Sequence, residues 1–290
     1  MFVFKAAVVG AGVMGGEIAQ VVAAADIPVL LKDVDQQFVD AGLQKARDVT
    51  EGQVGKLVSK DKLTADQGAE QVERTLSLIT GTTSYDAFGD VDFVIEAVPE
   101  KLEIKHQVFA ELDAVTPGHA ILASNTSGLS ITEIGDVTQR PDKVVGFHFF
   151  WPASFMRLIE VIEGEDTSAD TAQAAANFAM AIRKTPVRCG ECPGFVVNRI
   201  LVSTASEIWR YQDETGTPPE EIDELLRERA QMPMGPFRVA DMSGLDTVVK
   251  VARDMRDAYG DRMYVHRGME EKVDAGDLGA KTGKGFYDHG

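Results

Sequence analysis

The sequence has little of several features that mark whole classes of protein. Only two of its 290 residues are cysteine, and 29 lysine and arginine residues stand against 46 aspartate and glutamate residues, a formal net charge of −17. No apolar run approaches the ~20 residues that a membrane-spanning helix needs. The acidic balance argues against a broad nucleic-acid or anionic-membrane surface. We therefore expect neither a membrane segment nor a nucleic-acid partner.

The two cysteines, Cys189 and Cys192, have the C-x-x-C spacing of a redox pair or of half a zinc site. No second cysteine pair and no nearby histidine completes a tetrahedral set of zinc ligands, so we expect no metal. Pro193 and Gly194 after the pair are typical of a helix start. Met1 is followed almost at once by a predicted strand, which leaves no room for a signal peptide and favours a cytoplasmic setting.

Strand-like and helix-like segments alternate along the first half of the chain. Apolar runs typical of buried strands lie at residues 2–9, 29–33, 91–98 and 120–127. Helical patterns lie at residues 12–25, 36–80 and 101–112. The pattern over 36–80 is polar and breaks around 59–64, which predicts a helical hairpin. The alternation predicts a Rossmann-type, doubly wound α/β fold with a mostly parallel sheet.

The second half of the chain changes character. Strand-like runs at 144–150 and 156–162 are joined so closely that we expect them to pair antiparallel. A helix is predicted near 172–182, and nearly everything after the following Pro-, Gly- and Cys-rich stretch is helical in pattern. We therefore predict an α/β domain over residues 1–186 and a smaller all-helical domain over residues 187–290.

A glycine-rich turn between the first predicted strand and helix indicates a dinucleotide-binding loop. Gly10, Gly12 and Gly15 form the motif G-A-G-V-M-G, with Val13 and Met14 inside it. In this position backbone N–H groups and the helix dipole would meet a pyrophosphate. The alternative is that the glycines serve only a tight turn.

Asp33 ends the second predicted strand, at the spacing where a carboxylate accepts hydrogen bonds from the adenosine ribose. It would repel the extra phosphate of NADP, and no arginine follows to compensate. Lys32 could point away on the alternating strand, and the alternative role for Asp33 is a simple cap. The sequence predicts NAD as the cofactor.

Seven ordered segments resemble the 3-hydroxyacyl-CoA dehydrogenase family, and together they span essentially the whole chain. They are GAGVMGGEIAQ (10–20), EAVPEKLEIK (96–105), SNTSGLSITEI (124–134), GFHFFWP (146–152), ECPGFVVNRI (191–200), PMGPFRVADMSGLD (233–246) and KTGKGFY (281–287). The resemblance implies an N-terminal NAD domain and a C-terminal helical domain that helps close the active site and usually forms the dimer interface. It also implies reversible oxidation of an (S)-3-hydroxyacyl-CoA to the 3-oxoacyl-CoA, in the manner of fatty-acid β-oxidation.

The same resemblance assigns residues to the catalytic site. The catalytic pair maps onto His148 and Glu160. Ser127 and Asn198 match polar residues around the reacting oxygen.

Two further positions complete the assignment at the cofactor. Glu100 and Lys105 match positions that line the nicotinamide half of the site.

Residue chemistry supports the catalytic assignment. Oxidation of an alcohol needs a base for the hydroxyl proton, and histidine titrates near neutral pH. Glu160 lies on the strand predicted to neighbour that of His148, where it can hold the imidazole. Each assignment has an alternative. His148 could be a core residue and Glu160 a solvated residue of its strand. Ser127 could be a helix cap and Asn198 an interface residue.

The substrate side rests on fewer residues. Coenzyme A carries phosphates, and Lys45, Lys56 and Lys60 lie on the predicted hairpin of an otherwise acidic chain. Lys56 falls where the resembling enzymes place a CoA-contacting lysine; the alternative is an ordinary solvated helix face. The chain departs from the family at Trp151, where asparagine is common, and this large aromatic could narrow the acyl pocket or merely cover it.

Two competing functions remain. The 3-hydroxyisobutyrate and 6-phosphogluconate dehydrogenases share the glycine loop but need a lysine one helical turn before the asparagine, and this chain has Gly194 there. The λ-crystallins resemble the same family without being enzymes. Intact Ser127, His148, Glu160 and Asn198 favour an enzyme.

Overall fold

The computed structural model describes residues 2–290. The chain divides into two compact units between Cys192 and Pro193. The boundary predicted after residue 186 falls inside a strand, because residues 185–190 pair with the sheet of the first unit. The first unit therefore extends to the end of the C-x-x-C segment.

The first unit is built on one sheet, with eight strands among the described residues. The strands are β1 (Ala6–Val9), β2 (Val29–Lys32), β3 (Ile79–Thr82), β4 (Phe93–Glu96), β5 (Ile121–Ser124), β6 (Val144–Phe149), β7 (Leu158–Glu163) and β8 (Thr185–Gly190). Their order is β3-β2-β1-β4-β5-β6-β7-β8, and every neighbouring pair is parallel except β6 and β7. This is the order of a doubly wound dinucleotide-binding sheet. The predicted fold class and the antiparallel pair are confirmed.

The helices of the first unit follow the predicted alternation. They are α1 (Val13–Ala23), α2 (Gln36–Val58), α3 (Ala65–Ser77), α4 (Leu102–Val115), α5 (Ile131–Gly135) and α6 (Ala169–Ala181), with a short 3₁₀ turn at Pro141–Lys143. The hairpin of α2 and α3 breaks where predicted, and α3 begins with a capping box between Thr64 and Gln67. The helical pattern predicted up to residue 80 was too long, because Ile79 already belongs to β3.

The sheet places its central strands in the core. All four residues of β1, of β4 and of β5 are buried, as expected for parallel strands covered by helices on both faces. Strand β1 lies between β2 and β4, so the chain order reverses there. The carboxyl ends of the strands on either side of such a reversal form the crevice in which ligands bind.

The second unit is helical. It contains α7 (Val197–Thr215), α8 (Pro219–Arg229), α9 (Pro236–Ser243), α10 (Leu245–Tyr259) and α11 (Arg267–Asp274), followed by a 3₁₀ turn at Ala280–Thr282. Its core includes Trp209, Phe237 and Met255. The C-terminal segment is held by buried Asp241, whose carboxylate accepts the N–H groups of Phe286 and Tyr287 at 2.9 Å each.

Across residues 2–290, none of the helices is both long enough and apolar enough to cross a membrane.

Candidate active site

Two glycines of the predicted loop are required by the protein's own packing. Gly10 follows β1 with a φ of +99°, and a Cβ there would come within 2.6 Å of the carbonyl oxygen of Ala97. A Cβ on Gly15 would collide with the carbonyl oxygen of Gly10. These glycines let the loop turn sharply and let α1 pack closely on it.

Gly12, the middle glycine of the motif, has open space around it. A Cβ on Gly12 would meet no atom within 4 Å, so packing does not explain the residue. Val13 and Met14 form the first turn of α1, and Val13 is exposed. The N-terminus of α1 is therefore open to an anion, and the loop fits the pyrophosphate of a dinucleotide.

Asp33 lies beside this loop, directly after β2. Its carboxylate accepts the N–H of Ala11 at 2.7 Å and that of Val34 at 2.6 Å. The neighbouring Lys32 is directed elsewhere, because its Nζ lies 4.2 Å from the centre of the Tyr85 ring. The side of the loop where an adenosine ribose would lie thus carries a fixed negative charge.

The predicted catalytic pair comes together in the antiparallel pair of β6 and β7. His148 lies directly opposite Glu160 in the register, and Nδ1 is 2.7 Å from Oε2. Because a carboxylate only accepts, Nδ1 carries the hydrogen of this bond, and in the neutral imidazole Nε2 has the lone pair. The residues are 7% and 1% exposed, and the ring of Phe150 lies 4.5 Å from the imidazole. The arrangement can take up a proton at Nε2 and stabilise the resulting charge.

The connection between these two strands, residues 150–157, is held by buried charged groups that sequence reasoning missed. The N–H and hydroxyl of Ser154 donate to Oε2 of Glu17 on α1, each at 3.1 Å, and Lys45 pairs with the other oxygen at 3.1 Å. Lys184 Nζ donates to two backbone carbonyls of the same connection. Burial lowers the pKa of Lys184, although the charge of Glu17 opposes this.

Large apolar side chains project outward from this fixed connection. Trp151, the departure from the family pattern, is 53% exposed, and Phe155 is 80% exposed.

Ser127 is also brought to a charged cluster. Its N–H and hydroxyl donate to Oε1 of Glu100 at 2.9 and 3.1 Å, and Lys105 pairs with Oε2 at 3.2 Å. Ser127 does not cap the next helix, because Ser130 caps α5 by accepting the N–H of Glu133. Ser127, Glu100 and Lys105 therefore form one group.

Two further predicted residues, Lys56 and Asn198, lie on other elements of the chain. Lys56 is exposed in the last turn of α2. Asn198 lies in the first turn of α7, in the second unit. Their roles stay predictions.

The C-x-x-C pair carries no sign of chemistry. Neither Cys189 nor Cys192 is in a disulfide bond, and both are half-buried. Burial, with the charge of Glu160, raises the pKa of the Cys189 thiol to about 11, which disfavours the reactive thiolate. Among residues 2–290, no three His, Cys, Asp or Glu side chains are placed to hold a metal ion.

Comparisons with known proteins converge on one family. A model of the 3-hydroxyacyl-CoA dehydrogenase NAD binding domain matches residues 5–192, and a model of the C-terminal domain of the same enzymes matches residues 194–289. The two matches meet where the compact units divide.

Individual relatives cover the whole chain. A 3-hydroxybutyryl-CoA dehydrogenase of Clostridioides difficile is 41% identical over 286 residues, 98% of this chain and 99% of the relative. A peroxisomal fatty acid beta-oxidation multifunctional protein of Arabidopsis thaliana is 36% identical over 98% of this chain but 38% of its own length. The crystal structure of (S)-3-hydroxybutyryl-CoA dehydrogenase from Ralstonia eutropha has a TM-score of 0.91 at 36% identity, with both chains fully covered.

Proposed function

Because the chain belongs to the 3-hydroxyacyl-CoA dehydrogenase family and its first unit is that family's NAD-binding domain, we propose that it oxidises (S)-3-hydroxyacyl-CoA thioesters reversibly to 3-oxoacyl-CoA. The observation that carries the proposal is the buried 2.7 Å hydrogen bond between His148 Nδ1 and Glu160 Oε2. Relatives named for 3-hydroxybutyryl-CoA favour a short acyl chain.

His148 is the general base of the proposed reaction. Its Nε2 accepts the proton of the substrate 3-hydroxyl, while bound NAD supplies the hydride acceptor. Glu160 fixes the tautomer through Nδ1 and stabilises the imidazolium that forms. In the reverse direction the same nitrogen returns the proton.

Ser127 and Asn198 complete the proposed site around the substrate oxygen, whose charge grows as its proton leaves. Asn198 is a donor to that oxygen, and Ser127 becomes one when the single hydrogen of its hydroxyl turns from Glu100 to the substrate. Ser127 is supported by its fixed place beside Glu100. Asn198 rests on its match to the family motif.

Lys56 is our proposal for a contact to coenzyme A. Of the hairpin lysines, Lys45 is engaged with buried Glu17, whereas Lys56 is exposed near the end of α2. Because the protein is acidic overall, an anionic ligand such as coenzyme A needs a positive charge at its binding site, and Lys56 would supply one.

We also propose that the protein acts in the cytoplasm as a homodimer formed through its second unit. The support is the set of large apolar side chains that α7 leaves exposed, Ile200, Leu201 and Tyr211. Sedimentation equilibrium should give twice the chain mass, and Leu201→Asp should shift the protein toward monomer. A parent protein that sediments as a monomer would contradict the proposal.

The reaction is tested by following the absorbance of NADH. The purified protein should consume NADH with acetoacetyl-CoA, and should reduce NAD with (S)- but not (R)-3-hydroxybutyryl-CoA. A series of 3-oxoacyl-CoA substrates from short to long chains extends the test. If NADH is not consumed with any of them, the chain is a binding protein on this fold and the proposed function is wrong.

A further inference from the structure

Ser154, in the connection between β6 and β7, is hydrogen-bonded at each of its polar atoms. Its N–H and its hydroxyl both donate to Oε2 of Glu17 on α1, each at 3.1 Å. Its carbonyl oxygen accepts the side-chain amide of Gln53 on α2 at 3.3 Å. Loops usually run over the surface and are mobile, so a loop residue that two helices hold so completely calls for a role.

Glu17 is the charged centre of this arrangement. The residue is 2% exposed, and its second oxygen, Oε1, pairs with Nζ of Lys45 on α2 at 3.1 Å. A buried carboxylate needs a charged partner and hydrogen bonds to offset the loss of water, and Lys45 and Ser154 supply them. Because an ionised carboxylate can accept all of these bonds at once, Glu17 joins α1, α2 and the connection.

The two helices that hold Ser154 are themselves in close contact. A Cβ on Gly16 would lie 2.6 Å from the carbonyl oxygen of Gly42, so the backbone of α1 touches that of α2 beside Glu17. Gln20 on α1 is buried, and its side-chain amide donates to Gln53 on α2 at 3.2 Å. The groups that bind Ser154 are therefore fixed relative to one another.

The connection begins at the proposed catalytic pair. Phe150 is its first residue, and the centres of the rings of Phe150 and His148 are 4.5 Å apart. Trp151 comes next and is 53% exposed. Further along, Lys184 donates to two carbonyl groups, one on each side of Ser154. Since Ser154 lies three residues after Trp151, its attachment to α1 and α2 limits where the first residues of the connection can lie.

We propose that Glu17 is a positioning residue for the acyl side of the proposed site: by holding Ser154 on α1, it fixes the connection that carries Phe150 and Trp151. The inference rests on the proposed function in naming an acyl-CoA as the ligand on which this connection acts.

Two variants of Glu17 and one control separate the contributions. Glu17→Ala removes the charge and both acceptor oxygens, and so releases Ser154 and Lys45. Glu17→Gln keeps an acceptor for Ser154 and loses only the charge, so its effects should be smaller and in the same direction. The matched control is Glu51→Ala, which removes the same side chain from an exposed ion pair with Arg47 on α2.

The first measurement is hydrogen exchange of the Ser154 amide by NMR, in protein without cofactor. This N–H donates to Glu17, and the loss of a hydrogen bond to a charged group should speed its exchange by about tenfold or more in Glu17→Ala. The control should exchange at the rate of the parent. An unchanged rate in Glu17→Ala would show that Glu17 does not hold the connection.

Kinetics separate positioning of the substrate from other roles. In Glu17→Ala the KM for acetoacetyl-CoA should rise by about tenfold, with kcat within about threefold and NADH affinity within about twofold of the parent's, because a loosened connection weakens substrate binding and leaves the catalytic pair in place. Loss of NADH affinity at unchanged KM would mean that Glu17 acts through α1 on the cofactor. A lower kcat at unchanged KM would mean that it acts on the catalytic pair. Either result, or a KM equal to that of Glu51→Ala, overturns the proposal.

A double variant tests whether the effect passes through the connection. Glu17→Ala should change the ratio of kcat/KM for acetoacetyl-CoA and 3-oxooctanoyl-CoA in the parent background. In the Trp151→Asn background it should change this ratio little further, since substitutions that act through the same contact are not additive. Equal changes in the two backgrounds would contradict the proposed route from Glu17 to the substrate.

Two outcomes of the proteins themselves are covered. Should Glu17→Ala fail to fold, Glu17→Gln and Ser154→Ala make the same test, and a KM for acetoacetyl-CoA that is unchanged in both overturns the proposal. If the parent protein does not turn over acetoacetyl-CoA, the proposed function is wrong, while the exchange rate of the Ser154 amide still decides whether Glu17 holds the connection.

Discussion

The carboxylate of Asp33 should decide which dinucleotide this protein uses. Two backbone N–H groups hold it at the carboxyl end of β2, beside the glycine loop. A ribose bound there would donate hydrogen bonds to it, whereas the 2′-phosphate of NADP would meet a like charge. Asp33→Asn removes that charge and keeps the size of the side chain.

The size of the effect follows from the charges. Two unit charges about 4 Å apart repel by about 4 kcal/mol at an effective dielectric constant of ~20. Since every ~1.4 kcal/mol is a factor of ten in binding, the repulsion disfavours NADP by roughly 10²- to 10³-fold. Lys32, the nearest cation in sequence, is directed at Tyr85 and offsets little of it. Asp33→Asn should therefore bring the two cofactors to within about tenfold of each other.

The assay is steady-state reduction of acetoacetyl-CoA with NADH and with NADPH, compared as kcat/KM. The matched control is Asp35→Asn. Asp35 caps α2 by accepting the N–H of Gln37, and asparagine caps helices equally well, so this variant loses the same charge nearby without touching the ribose position. An unchanged NADH preference in Asp33→Asn, or equal changes in both variants, would refute the reasoning.

Three further predictions follow from particular residues. Trp151→Asn should change the acyl-chain preference, because Trp151 is exposed on the connection that follows His148; an unchanged profile across a chain-length series would show that Trp151 does not select the substrate. Asn198→Ala should lower kcat for acetoacetyl-CoA by about 10²-fold, the effect of losing one oxyanion donor, with NADH binding intact, and kcat near the parent's would exclude that role. Burial holds the pKa of His266 below its ordinary 6.5 despite the charge of Asp213. The contribution of His266 to the stability of the fold is therefore complete above about pH 6.5, and it is lost as the pH falls through the lower pKa of the folded state. His266 Nδ1 accepts the N–H of Met269 as the cap of α11, so His266→Asn keeps a cap and should flatten the pH dependence of urea unfolding in this range; an equally steep dependence would contradict this.

The sequence predicted the strands that are buried on both faces and missed those at the edges. Strands β1, β4 and β5 are continuous apolar runs because helices cover both of their faces. Strands β3 and β8 lie at the two ends of the sheet; β3 is partly exposed and β8 is largely exposed. An edge strand needs few apolar residues, so its sequence resembles a loop or the end of a helix.

At the candidate site, too, the sequence was enough to select some residues and not others. His148, Glu160 and Asp33 lie within or directly after predicted strands, so local pattern and motif were enough to select them. Glu17 gave no such signal, because its role depends on a contact with Ser154, 137 residues away. The anchoring role of Lys184 likewise depends on carbonyl groups that only the folded chain brings to it.

The most direct test of the proposed chemistry is a double-mutant cycle of His148→Gln and Glu160→Gln, measured as kcat for acetoacetyl-CoA reduction at saturating NADH. A positioned acid/base group typically contributes ~10²- to 10⁴-fold, so His148→Gln should lower kcat by about that factor while NADH affinity stays nearly unchanged. Glu160→Gln keeps a hydrogen-bond acceptor for Nδ1 but removes the charge that stabilises the imidazolium, and should also lower kcat substantially. Because the two residues act as a unit, we predict that the double variant is little worse than His148→Gln alone. Fully multiplicative losses, or a His148→Gln protein with kcat close to the parent's, would contradict the assignment of His148 as the general base.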